Sequence, residues 1–206
     1  MSSISPLDSS KLVIKLYIDD AGTLAHDQFV PVFHSLIQSH AIRDHLLIDV
    51  ADYSHVANGP GTVLVAHEAN FYLDDVDGRW GVTYSRKTPI AGGFSDRLRA
   101  CFHTVYEVAQ LLEQDPRLGG IKFKTDETTL KINDRLYAPN TPETFAAIRP
   151  DLEKFTHDLF GPNVSLEHRL DPKRLFEVGI KAPAANDLAT LASRLAEKKP
   201  VAVNYS

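Results

Sequence analysis

Apolar residues along this chain recur with two different periods. The order in which those periods alternate constrains the fold more than any single motif. In residues 11–18, Leu12, Ile14, Leu16 and Ile18 alternate with Lys11, Val13, Lys15 and Tyr17, the period-two signature of a half-buried strand. Asp19, Asp20 and Gly22 end it. Phe29, Val32, Phe33, Leu36 and Ile37 then mark a helix to residue 39, with Asp27 as its expected N-cap. Three strands come next, over residues 46–53, 62–73 and 79–86. They are separated by the turn formers Asn58-Gly59-Pro60-Gly61 and by Asp77-Gly78, a pair suited to a type I′ hairpin. A helix over 95–113, capped by Ser95, and a strand over 121–125 complete this part.

The second part runs through the same kinds of element. A strand over 129–133 leads through a polar loop to a helix. Thr141 caps that helix, Pro142 stands at its first position, and Pro150 is expected to bend or break it. Strands over 164–169 and 175–181 flank an Asp171-Pro172 turn. A last helix starts at Asn186 or Asp187 and runs to Lys198, and residues 201–205 read as a final strand.

Strand, helix, strands, helix, strand, given twice, is the order of the split βαβ, or ferredoxin-like, unit. The expected fold is therefore α+β, with two tandem ferredoxin-like halves. Each half is an antiparallel sheet with helices on one face, and the first carries an extra strand. Residues 1–10 form a flexible leader, 11–126 the first half and 127–206 the second. A sheet covered on one side needs something on the other, which points to the opposite half or to a homo-oligomer.

Composition narrows the function classes. Hydrophobic residues make up 43% and charged residues 24% of 206, values of an ordinary globular chain. One cysteine, Cys101, allows no internal disulfide and fits a reducing compartment, so a cytoplasmic location is expected. No apolar run approaches the ~20 residues that cross a bilayer, and the Ser-rich start has no signal-peptide pattern. A net charge of −5 and a pI near 6.0 argue against a nucleic-acid partner.

Ionisable residues set into apolar runs are the candidates for chemistry. His67 falls between Val65 and Ala69 on a strand face, where an imidazole needs a partner for each nitrogen. Asp49 interrupts the run Leu46-Leu47-Ile48-Asp49-Val50-Ala51, and a carboxylate there must be paired or carry a shifted pKa. Antiparallel pairing could bring Asp49 to His67 or Glu68, so proton transfer by His67, Asp49 and Glu68 is the expected catalytic chemistry. The other reading of each is an ion pair or a satisfied core imidazole.

Arg86 and Lys87 precede Gly92-Gly93-Phe94-Ser95 and a helix start, a pattern suited to a small anionic ligand. Arg97 and Arg99 in the first turn oppose the helix dipole, and an anion nearby would ease that. The loop over 133–140 concentrates Asn133, Asp134, Arg135 and Asn140 and is a second candidate for ligand contacts. His55, His67 and Glu68 have no recognised metal spacing, so no metal is expected. The cofactor is undetermined, and His157 on its helix is the one place a haem ligand could stand. The function expected is binding of a small anionic metabolite, or acid–base catalysis near the strand meander. A structural or regulatory homo-oligomeric interaction module without catalytic activity is the alternative, and a metal- or haem-binding protein a weaker one.

Overall fold

A computed structural model of the chain describes residues 5–22, 24–56 and 59–196. The strands are β1 (Leu12–Ile18), β2 (Leu47–Asp52), β3 (Thr62–Ala66), β4 (Ala69–Asp74), β5 (Gly81–Arg86), β6 (Phe123–Ile132), β7 (Ser165–His168) and β8 (Phe176–Lys181). The helices are α1 (Phe29–Gln38), α2 (Phe94–Gln114), α3 (Pro142–Phe160) and α4 (Leu188–Ala196). The class is α+β. All eight strands join one antiparallel sheet in the order β2-β3-β4-β5-β1-β6-β8-β7.

The sheet is continuous because the strands expected at 121–125 and 129–133 are one ten-residue strand, β6. It pairs with β1 from Leu12↔Ile132 to Leu16↔Thr128, and with β8 from Glu127↔Lys181 to Ile132↔Phe176. Residue 126, the expected junction, lies inside it. The strand expected over 201–205 and the end of the last helix fall outside the described residues.

The strand expected over 62–73 is two strands joined by the two-residue turn His67-Glu68. That turn inverts the parity of the pattern. Leu64 and Ala66 point inward before it, and Ala69, Phe71 and Leu73 after it. These residues join Leu12, Ile14, Leu16, Val82, Tyr84, Leu130, Val178 and the inward faces of the helices in one core. Asp77-Gly78 likewise lies in a single 3-10 turn (Val76–Gly78) and not in a two-residue hairpin.

Helix starts reflect local chemistry. Thr141 caps α3 as expected, its Oγ1 accepting the Thr144 N–H at 3.3 Å. Pro150 sits inside α3 without breaking it. Gly93, not Ser95, is the N-cap of α2, and the Asp96 carboxylate accepts the Gly93 N–H at 2.8 Å. Ser95 lies inside the first turn, its hydroxyl 3.3 Å from Asp151.

The face of the sheet away from the core carries a lattice of charges. Lys15 Nζ meets Asp74 Oδ1 at 2.5 Å, and Thr83 donates to the other Asp74 oxygen at 2.7 Å. Arg79 holds Glu127 through two bonds of 2.9 Å and lies 3.7 Å above the Tyr17 ring. Glu177 takes Arg169 at 2.6 Å and Lys131 at 3.1 Å.

Candidate functional site

The β3–β4 turn, the start of β2 and the end of β5 meet at one end of the meander. That end gathers four of the residues singled out by sequence. The His67 N–H donates to the Leu46 carbonyl at 2.9 Å, and the Lys87 N–H donates to the Glu68 carbonyl at 2.9 Å. The Glu68 carboxylate accepts the Leu46 N–H at 2.8 Å. Desolvation pushes its carboxyl up, but that N–H and the nearby His45 and His67 hold it below its ordinary value. Lys87 Nζ reaches the Ala66 carbonyl and Asn70 Oδ1, the latter at 3.0 Å. His67 itself is exposed at the turn. The imidazole expected on an apolar face is therefore on the surface, because the turn falls at that residue.

The half-buried imidazole of this end is His45, in the loop before β2. Its Nδ1 is 2.9 Å from the Arg43 carbonyl and its Nε2 is 3.1 Å from the Tyr84 hydroxyl. Arg86 NH1 donates to that same hydroxyl at 3.3 Å, and Arg86 Nε to the Thr88 carbonyl at 2.8 Å. The Phe71 ring closes the pocket of His45, edge-on at 5.5 Å. Burial depresses the His45 pKa below 6.5, with Arg86 acting in the same direction. Burial also raises the Tyr84 hydroxyl well above its ordinary range, so it is a neutral donor.

α2 crosses above this group. Cys101 is fully buried there, and burial pushes its thiol up to about 12 against the fields of Arg86 and Arg97. It is an inert core thiol. Arg97 is only 8% exposed. Its NH1 donates to the Gly92 carbonyl at 2.7 Å and its NH2 to the Leu7 carbonyl, which ties the segment before β1 to α2. Arg97 Nε is buried without a hydrogen-bond partner. No carboxylate of the described residues comes within ion-pair distance of Arg86, Lys87 or Arg97. The α2 N-terminus, in contrast, is closed by Asp96. What lacks a carboxylate partner at this end is therefore the guanidinium groups and not the helix N-terminus.

The other candidates are elsewhere. Asp49 is exposed on the edge strand β2, its carboxylate accepting the Val50 N–H at 2.8 Å. Arg135 donates to the Lys173 carbonyl at 2.6 Å, and Asp134 takes the Tyr137 N–H at 3.3 Å. Asn140 is buried and donates to the carbonyls of Arg169 and Leu175 while receiving His168 Nε2 at 2.7 Å. Asn133 is exposed, its N–H bonded to the Lys11 carbonyl. This loop ties the strand β6 to the β7–β8 connection. Five strand intervals separate β2 from β6, roughly 24 Å at the usual spacing, so Asp49 and the Arg135 loop do not share a reactant.

His157 is exposed on α3. Among the described residues no three His, Cys, Asp or Glu side chains are placed to hold a metal ion. A groove of about 430 Å³ lies between the end of β1 and the entry to β6, lined by Asp19, Asp20, Arg117 and Gly119-Gly120 among others. Its two cations are spent on neighbours, Arg117 on Asp115 at 2.5 Å and Lys122 on Glu113 at 2.9 Å.

Sequence reasoning passed over His45 and Tyr84. His45 borders a loop, and its partner Tyr84 stands 39 residues away. Arg97 was legible as a cation misplaced in a first helical turn, though its burial was not. No protein-family model matches the sequence, and no curated protein is similar to it. No helix among the described residues is long and apolar enough to cross a membrane.

Proposed function

We propose that the chain binds a small anionic metabolite at the end of the meander, with Arg86 and Arg97 as its anchors. The observation that carries this is Arg97, a nine-tenths buried guanidinium with an unpartnered Nε and no counter-ion among the described residues. A buried cation is costly unless an anion neutralises it. Arg86 stands within electrostatic reach of the same thiol and also lacks a carboxylate. Guanidinium groups suit the planar, multi-oxygen face of a carboxylate or phosphate. Neutral His45 beside Tyr84 gives this site the acid–base pair that catalysis would need.

The test is sulfate binding, monitored by thermal shift and calorimetry. At a concentration one hundred times the Kd, a ligand of the native state stabilises it by about 2.7 kcal/mol. For a chain of this size that is a rise of roughly 5–11 °C in Tm. Arg97→Gln and Arg86→Gln should each abolish most of the shift. No shift in the parent chain with sulfate, phosphate or citrate overturns the reading.

The topology supports a finer description of the fold on the same terms. β1 and β6 each feed a helix (α1 and α3). β1 is rejoined antiparallel by β5, and β6 by β8. We read this as two split βαβ units meeting at the β1/β6 pair near residue 126, with β3, β4 and β5 standing where the first unit would have a single inserted strand. A second reading, a homo-oligomeric module, is favoured by one observation. Leu46, Ile48, Tyr53 and Val56 are 64%, 57%, 43% and 44% exposed along edge strand β2 and the residues that flank it.

A further inference from the structure

The candidate site holds a hydrogen-bond chain whose polarity depends on one proton. A carbonyl can only accept, so the His45 Nδ1 that lies 2.9 Å from the Arg43 carbonyl carries hydrogen. A neutral ring then offers the Nε2 lone pair to the Tyr84 O–H at 3.1 Å, and the Tyr84 oxygen accepts an N–H from Arg86 at 3.3 Å. Protonating Nε2 reverses the middle link. The Tyr84 oxygen would then face two donors, and its own hydrogen would have lost its acceptor. An anion seated on Arg86 supplies that acceptor.

Building on the anion-binding reading, we infer that the site is proton-coupled: protonation of His45 and occupation of Arg86 by an anion favour one another, so the ligand is taken up together with a proton. The charged and titratable groups that face His45 come from three places. Arg86 and Tyr84 come from β5, Glu68 from the β3–β4 turn, and Asp44 from the loop of His45 itself. Glu68 and Asp44 favour a cationic ring, whereas burial and Arg86 oppose it. A bound anion cancels the repulsion from Arg86 and adds attraction of its own. Linkage makes the coupling reciprocal, so affinity rises as His45 gains its proton.

The experiment is calorimetric titration of the full chain with sulfate from about pH 8 to about pH 5, the range in which histidine titrates. It is run in two buffers of different ionisation enthalpy. Sulfate stays a dianion throughout, so any proton taken up goes to the protein. The parent should gain about five- to tenfold in affinity toward the acid end, with uptake of up to about one proton per site. His45→Gln should lose both the gain and the uptake, and Tyr84→Phe, which keeps the imidazole but not the relay, should lose part of each. Sulfate binding by the parent without proton uptake, or the same uptake in His45→Gln, overturns the coupling and leaves the anion site standing. No binding by the parent at any pH overturns both.

Discussion

The Lys15–Asp74 pair should respond to mutation like a buried charge pair and not like a surface salt bridge. The two side chains are 7% and 6% exposed and 2.5 Å apart. Asp74 also accepts from Thr83 at 2.7 Å and from the Val76 N–H at 3.1 Å, and Lys15 donates to the Val76 carbonyl at 3.3 Å. Asp74→Asn keeps the shape and most of the neutral bonds while stranding the lysine charge. Breaking one partner of such a pair costs about 3–5 kcal/mol, or roughly 6–20 °C in Tm for a chain of this length. Lys15→Met strands the carboxylate in the same way. The double variant removes both charges, and replacing a whole buried pair is often close to neutral. With each single variant at about 3–5 kcal/mol and the double variant near zero, urea unfolding of the four proteins closes a cycle with a coupling energy of roughly 6–10 kcal/mol. An exposed pair gives under about 1 kcal/mol and near-additive variants. That outcome would mean that the outer face of the sheet is wet at its centre and that the burial argument is wrong.

Local geometry leads to two further outcomes. Gly61 has φ +68°, and a Cβ there would lie 2.3 Å from the Leu73 carbonyl oxygen and 2.7 Å from His26 Cε1. Gly61→Ala should cost about 2–4 kcal/mol from strain and crowding combined, and a variant with the parent's urea midpoint would refute this. Stability should also fall on mild acidification. Burial lowers the pKa of both His45 and His168 below 6.5, so just under that pH the unfolded chain binds more protons than the folded one. The stability these neutral rings contribute is intact above about pH 6.5. It is lost toward their folded values at up to about 1.4 kcal/mol per pH unit for each site. The loss in urea midpoint between pH 7 and pH 5.5 should shrink in His45→Gln/His168→Gln, and an unchanged slope would contradict the assignment.

Local patterns located the elements because each pattern was written in adjacent residues. Leu12, Ile14, Leu16 and Ile18 announce β1, and Thr141-Pro142 announces α3, with nothing needed from elsewhere in the chain. The β3–β4 turn was hidden for a physical reason. Ala66 and Ala69 are small and apolar on both sides of it, and the pair His67-Glu68 contains no glycine, asparagine or proline to punctuate the run. Asp96, three residues after Gly93, was a legible helix-start signal that Ser95 obscured. The site was less legible than the fold. Glu68, Arg86 and Lys87 could be chosen as polar residues at the ends of apolar runs. Their partner His45 could not, because only the pairing of β4 with β5 brings Tyr84 beneath a loop 39 residues earlier. Asn140 was legible as unusual but not as what it is, a clamp on two carbonyls across the β7–β8 connection.

A sheet with helices on one face still has to satisfy its other face. Here the central outer positions do so internally. Lys15 is closed by Asp74, Glu127 by Arg79, and Glu177 by Arg169 and Lys131, with Tyr17 OH bonded to Thr129 at 2.7 Å among them. Stacking a second sheet on this lattice would desolvate paired charges for little gain, since such pairs already have their partners. Strand addition at β2 meets a different obstacle. Val50 pairs with Leu64 between hydrogen-bonded rows, so its N–H faces the open edge, and the Asp49 carboxylate already occupies it. A second copy is left with side-chain packing along Leu46, Ile48, Tyr53 and Val56, beside the exposed carboxylates of Asp49 and Asp52. In a twofold contact those acids would face their own copies, a repulsion that weakens self-association. The edge is therefore better suited to a contact offset from the acids than to a sheet running through two chains.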